Sequence, residues 1–211
     1  MRTITVASAK GGVGKTTIAA ALAVRATQES QRVAMFDLNA DQGNLSQWWI
    51  MRGEPGNPRL IHDIESIPGD VQVLAAENFD WLIIDTPPVE MDLIEQAIVV
   101  ADFVLVPVRT SIFDVNSIDA VREMCRKHRK PFAFVLSALD SKFKTLTTQT
   151  VTALSSEGPI LATRVSYRAP YIQAAMAGKS GAEISKDLVP EIDGLWAEIK
   201  DRLAKEGRSH D

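Results

Sequence analysis

Lys10-Gly11-Gly12-Val13-Gly14-Lys15-Thr16-Thr17, directly after the β-branched run Ile4-Thr5-Val6, decides how the rest of the chain is read. Thr3 to Ala7 reads as a buried strand. Thr16 to Thr27 reads as a helix with Ile18, Ala19, Leu22, Ala23 and Ala26 on one stripe. A glycine loop between strand and helix, ending Gly-Lys-Thr, fits the phosphate-loop rule, with Ala9 or Lys10 where a glycine often stands. Glycines let backbone N–H groups turn inward toward phosphate oxygens without a Cβ clash. The helix that starts there directs its unpaired N–H groups and positive dipole end at the same anion. Lys15 then adds a full charge at the β- and γ-phosphates, and the Thr16 hydroxyl can ligate Mg²⁺. The alternative, a glycine-rich turn with an incidental lysine, fits poorly with a strand before it and a helix after it.

Outward from this motif, Arg32 to Phe36 reads as the next strand, which gives the first unit the roughly 30 residues of a βαβ crossover. Trp81 to Ile84, Phe103 to Val108, Phe132 to Leu136 and Ile160 to Val165 read as further strands. Helices are expected near Asp92 to Val100, Asn116 to Arg129 and Thr147 to Ser156, and Ile192, Leu195, Trp196, Ile199 and Leu203 have helical spacing. Near-continuous apolar strands imply a sheet covered on both faces. The expected fold is α/β: a P-loop NTPase of one domain over residues 1–211, with a mostly parallel twisted sheet and helices on both faces. Gly53 to Glu77, with Pro55, Pro58 and Pro68, reads as an irregular excursion.

The 211 residues are 45% apolar and 24% charged, which is ordinary for a globular protein. A net charge of −4 excludes a uniformly basic nucleic-acid binder but leaves room for a local basic patch. The one cysteine, Cys125, allows no intrachain disulfide and fits a reducing compartment. It shares a helix face with Ile118 and Val121, so a buried structural thiol is expected. No apolar leader opens the sequence, and Ala97 to Val108 is too short to span a bilayer and contains Asp102. A cytoplasmic location and no membrane contact are expected.

Two further elements complete the site. Trp81-Leu82-Ile83-Ile84 ends in Asp85-Thr86-Pro87-Pro88, where Asp85 can hold Mg²⁺ through water and the prolines stiffen a loop near the γ-phosphate. In Phe36-Asp37-Leu38-Asn39-Ala40-Asp41-Gln42-Gly43-Asn44, Asp37 and Asp41 with the neighbouring amides can position metal and water. The same loop can equally cap a helix that begins near Leu45. His62, His128 and His210 lack metal-ligand spacing, and no Ser-His or Cys-His arrangement is visible.

Together these motifs resemble the ParA/MinD group of deviant Walker A ATPases, over nearly the whole chain and most specifically in its first half. Lys10 matches the family's signature lysine. The resemblance implies that two subunits sandwich two ATP molecules, with Lys10 reaching the partner's nucleotide. Asp85 to Pro88 is similar to the Walker B and switch region, and Ala101 to Val108 to the strand that follows. Arg164-Val165-Ser166-Tyr167 and Ala174 to Gly178 resemble the later portion more loosely. The family's second element reads Asp-x-Asp-Pro-Gln-Gly. Here that spacing falls on Asn39, and Asp41 precedes Gln42-Gly43 with one residue extra, so Asp41 is the expected water-activating group. On this resemblance the nucleotide-binding residues are Lys10 to Thr17, the catalytic ones Lys10, Lys15 and Asp41, and the Mg²⁺ ligands Thr16, Asp37 and Asp85.

Within the family, the mixed charges of the last helix (Asp193, Glu198, Asp201 and Glu206 beside Lys200, Arg202 and Lys205) do not suit a MinD-like membrane anchor. One cysteine cannot bridge the cluster of a nitrogenase iron protein. The DNA-partitioning branch fits better, in a short form without an amino-terminal helix-turn-helix. It implies an ATP-bound homodimer, non-specific DNA binding on the nucleoid, slow hydrolysis and a centromere-binding partner of ParB type. Candidate DNA contacts are Arg126, Lys127, Arg129 and Lys130 beside Arg122, and Arg164, Arg168 and Lys179 beside Lys186. The first group can equally be a solvated helix end whose cations complement the dipole. Trp48 and Trp49 can line a dimer surface or simply pack. The leading alternative is a placement ATPase for a protein cargo. Others are a dethiobiotin-synthetase-like enzyme and a nucleotide-binding scaffold without useful hydrolysis.

Overall fold

A computed structural model describes residues 1–39, 42–110, 118–139, 144–166 and 168–208. Seven parallel strands form one sheet: β1 (Arg2–Val6), β2 (Val33–Asp37), β3 (Arg59–Leu60), β4 (Trp81–Asp85), β5 (Phe103–Val108), β6 (Phe132–Leu139) and β7 (Ile160–Ser166), in the order β3-β2-β4-β1-β5-β6-β7. β1 lies near the middle, with β4 on one side and β5 on the other. The chain therefore reverses its direction of travel across the sheet beside β1, which is where such sheets open a ligand crevice.

The helices are α1 (Lys15–Gln28), α2 (Asn44–Met51), α3 (Ile67–Ala76), α4 (Met91–Val100), α5 (Asp119–Lys127), α6 (Lys144–Ser155), α7 (Ala169–Met176), α8 (Gly181–Ile184) and α9 (Val189–Arg208). Every residue of β4 and β5 is buried, because helices cover both faces of those strands. On one face, Ile18 and Leu22 of α1 pack with Leu195, Trp196 and Ile199 of α9. Trp196 meets Trp81 edge-on, with ring centroids 4.6 Å apart. On the other face, α4 and α5 bury Ile94, Ile98, Val121 and Cys125 against β5 and β6. Burial pushes the Cys125 thiol up to about 12, as suits a structural cysteine.

The polar face of α9 does two jobs. Arg25 pairs with Asp193 at 2.5 Å and Lys200 with Glu29 at 2.9 Å, which ties α9 to α1. Its carboxylates also cover the free edge of the sheet. Glu198 accepts from the backbone N–H groups of Ala162 (2.8 Å) and Thr163 (2.7 Å), and Glu191 from that of Ser166 (2.9 Å). An edge strand otherwise presents these donors to any passing chain. Among the described residues no helix is long and apolar enough to cross a membrane.

The stretch from Gly53 to Glu77 is more regular than its prolines suggest. Arg59–Leu60 adds β3 to the sheet edge, and Ile67–Ala76 forms α3. Pro68 lies in the first turn of α3, where a missing N–H costs nothing, and the Ser66 hydroxyl accepts from Gly69 N–H. What reads as loop punctuation is the start of a capped helix. Residues 116–117 of the helix expected from Asn116, and His210, lie outside the described residues.

Candidate nucleotide-binding site

The loop between β1 and α1 bends through left-handed backbone at Gly12 (φ 70°) and Gly14 (φ 89°). Lys15, the first residue of α1, is only 7% exposed, and its ammonium donates to the Lys10 carbonyl at 3.1 Å. Burial lowers the Lys15 pKa, opposed by the Asp85 charge. Lys10 itself is partly exposed. The Ser137 hydroxyl, from β6, donates to the Val13 carbonyl at 2.7 Å and pins the loop from a strand two places away.

Asp85 ends β4. It is 1% exposed, and its Oδ2 accepts from the Thr16 hydroxyl at 2.5 Å. Its Oδ1 is buried and has no hydrogen-bond partner. Burial pushes this carboxyl up to about 7; the Asp37 charge acts the same way, while the Thr16 hydrogen bond and the Lys15 ammonium oppose it. A buried carboxylate with a spare oxygen beside a threonine hydroxyl is a fitting donor set for a hard divalent cation. Thr86 reaches across to β1, its hydroxyl donating to the Val6 carbonyl at 3.1 Å, and so fixes the start of the loop that follows Asp85.

Asp37 stands directly opposite Asp85 in the β2–β4 register but is only half-buried, and both its oxygens are engaged. Its Oδ2 accepts from Ser46 N–H and from the Ser46 hydroxyl, both at 2.9 Å, and its Oδ1 from Asn39 N–H at 3.1 Å. Capping α2 is therefore what its side chain does in this structure, with its charge close to Asp85. Asn39 is buried, and its amide donates to Gln42 Oε1 at 3.2 Å. Asp41 lies outside the described residues.

Lys15, Thr16, Asn39 and Thr86 open on a cleft of about 640 Å³, an ordinary size for a small-ligand site. The phosphate loop, Asn39, Thr86 and Arg109 form one end, and Trp48, Met51, Ile172 and Met176 give the other an apolar wall. Trp48 and Trp49 are both buried; Trp48 Nε1 donates to the Lys179 carbonyl at 3.0 Å and packs α2 against the segment after α7, while Trp49 Nε1 donates to the Pro58 carbonyl at 3.0 Å. Among the described residues no cluster of His, Cys, Asp and Glu could hold a metal by itself, which leaves the mixed hydroxyl–carboxylate set described above.

The basic residues separate. Arg168 and Lys179 line the cleft, and Arg164 lies on β7, which leads to it. Arg126, Lys127, Arg129 and Lys130 lie at the far end of α5, beside the amino ends of the strands. There Arg126 pairs with Glu123 at 3.2 Å and Lys127 with Glu95 at 2.7 Å. Two cleft residues have no local sequence signal. Ser137 and Arg109 come from separate strands and meet the phosphate loop only once the sheet is assembled.

A parallel sheet with a glycine loop after a central strand, a helix-end lysine and a threonine bonded to a strand-end aspartate defines a P-loop nucleotide-binding domain. Residues 4–181 match the model of the CobQ/CobB/MinD/ParA nucleotide binding domain, and the chain belongs to that family, in keeping with its Lys10 motif. It is 31% identical over 209 residues to the maintenance of carboxysome distribution protein A of Halothiobacillus neapolitanus, covering 93% of this chain and 95% of that protein. Apo McdA from Cyanothece superposes with a TM-score of 0.72 at 22% identity, covering 92% of this chain and 98% of that one. A protein of Borrelia burgdorferi assigned to plasmid partition and bound to AMPPNP gives 0.76 at 18% identity, covering 95% and 99%. The last two likenesses concern the fold.

Proposed function

We propose that the chain, acting as one domain over residues 1–211, is an ATP-dependent dimerisation switch that places a protein cargo. The observation that carries this reading is the likeness, along 93% of the chain, to a protein named for distributing carboxysomes. Cargo placement is thus favoured over the DNA partition to which the motifs alone point, and a ParB-type partner belongs to that partition reading.

In this proposal the loop amides and Lys15 hold the β- and γ-phosphates of ATP. Thr16 and Asp85 hold Mg²⁺, with the Asp37 charge beside them; the cation, when bound, neutralises charge on the terminal phosphates as the bond to the leaving group breaks. Asp41 takes a proton from the attacking water. Lys10 reaches the nucleotide of a second copy, and the exposed Met51, Ile172 and Met176 beside the cleft are apolar surface that such a copy would cover. Arg164, Arg168 and Lys179 let the ATP-bound dimer hold DNA without sequence preference, as a track for the cargo.

ATP turnover is the test, measured alone, with DNA, and with DNA plus the product of a neighbouring reading frame. The proposal expects slow hydrolysis that accelerates only with the partner present. Acceleration by a small-molecule acceptor instead would indicate a phosphoryl-transfer enzyme. Binding without turnover under every condition would indicate a scaffold.

A further inference from the structure

Arg109 follows the last residue of β5, on the side of β1 opposite Asp85. Its guanidinium lies against the phosphate loop: a Cβ at Gly12 would stand 3.5 Å from Nη2 and 3.8 Å from both Cζ and Nη1. The φ of 70° at Gly12 disfavours a side chain there, and the arginine lies within van der Waals reach of that position. Arg109 Nε is buried with no hydrogen-bond partner, and the residue pairs with no described carboxylate. Other partly buried arginines in this chain do pair: Arg52 forks onto Glu183 at 2.9 and 3.0 Å, and Arg25 meets Asp193 and Glu29. Arg122, whose Nε is likewise buried without a partner, holds Glu123 and Glu157 through its other nitrogens.

A half-buried cation without a counter-charge favours an anion that comes to it. Here it borders the same cleft as the Lys15 ammonium, so two positive groups converge on one mouth. We infer that Arg109 is a nucleotide-binding residue that contacts the terminal phosphate and sets the preference for triphosphate over diphosphate. The loop amides and Lys15 hold the β- and γ-phosphates from the inner side of the loop and leave further γ-phosphate oxygens open. Arg109 lies over Gly12 on the exposed rim of the loop, and in this inference it meets the outermost phosphate there. A guanidinium fork suits two oxygens of one phosphate, a geometry that a lysine does not reproduce. The inference rests on the nucleotide site and is independent of the cargo.

Calorimetry on the full chain with Mg²⁺ tests it, using AMPPNP and ADP as the two probes and Arg109→Gln and Arg109→Lys as variants. Arg109→Gln should weaken AMPPNP binding about tenfold or more, the loss expected for a charge-assisted contact. ADP binding should stay within about twofold, which also reports an intact loop. Arg109→Lys should fall between, since it keeps the charge and loses the fork. Equal losses for both nucleotides, or no loss for either, would overturn the inference while leaving the site itself intact. A native chain that binds neither nucleotide would overturn both this inference and the proposed function.

Discussion

The carboxyl ends of the strands and the rest of the sheet's perimeter carry similar polar chemistry but use it in opposite ways. Around the amino ends, charges satisfy one another. Asp102 accepts from Thr3 N–H at 2.7 Å, Asp80 from Arg32 N–H at 2.8 Å, and Lys127 meets Glu95 at 2.7 Å. Along the free edge, Glu198 and Glu191 take up the donors of β7. At the carboxyl ends two charged groups keep open positions, Asp85 Oδ1 and Arg109 Nε, which are buried without partners. Elsewhere Arg122 Nε and Trp196 Nε1 are also unpartnered, but the Arg122 guanidinium still holds Glu123 and Glu157. The paired perimeter keeps the fold together and the molecule from adding strands. The unpaired groups at the other end await a charged ligand.

The sharpest way to break this contrast is Lys15→Ala. Removing the buried ammonium should weaken ATP binding by at least about a hundredfold, since its charge-assisted bonds to two phosphates go at once. Thermal stability should hold, because among the described residues the ammonium bonds only the Lys10 carbonyl. Asp85→Asn comes next. It removes a buried carboxylate whose free oxygen has no protein partner, so ATP binding should lose about tenfold of its Mg²⁺ dependence without loss of stability. Titrations with and without Mg²⁺ read both quantities.

A smaller effect separates the two basic groups. Arg168→Ala with Lys179→Ala should lower ATP-dependent DNA affinity severalfold and flatten its salt dependence by about one unit of slope for each phosphate no longer neutralised. Arg126→Ala with Lys127→Ala should change neither, because those cations lie at the end of α5 away from the cleft that Arg168 and Lys179 line. Fluorescence anisotropy across a salt series decides; equal losses from both pairs would erase the distinction between the two ends.

The smallest effect belongs to the edge. Burial alone would raise the Glu198 pKa, but the hydrogen bonds from Thr163 and Ala162, with Arg202 nearby, hold it below the usual carboxylate range. Its contribution is therefore fully present above the unfolded value of about 4.3 and is lost as pH falls through the lower folded value. Glu198→Gln should cost about 1–3 kcal/mol at neutral pH and make the acid limb of the stability curve shallower. Chemical denaturation at several pH values measures both.

What the sequence makes legible follows the same division. The phosphate loop and Asp85 sit within contiguous runs, a glycine motif after one buried strand and a carboxylate closing another, so periodicity and motif suffice to find them. The parallel sheet follows from strands apolar at every position. Arg109 and Ser137 have no such local context. Each is an ordinary strand-end or strand residue until the order β1-β5-β6 places it beside the loop. Glu198 reads as one more charge on a solvated helix face, because nothing in a helix pattern announces a sheet edge beneath it. α3 escapes a reading of the residues for the converse reason: prolines that mark loops elsewhere mark the start of a helix when a capping serine precedes them.

The bond from Ser137 to Val13 bears on how quickly the protein can respond. Because β6, two strands away, clamps the glycine loop, its conformational disorder is removed during folding rather than on encounter with a nucleotide. The seat is finished before its occupant arrives, so association should proceed at a rate set by collision and charge attraction. Severing the clamp with Ser137→Ala should then slow capture of nucleotide more than it hastens escape.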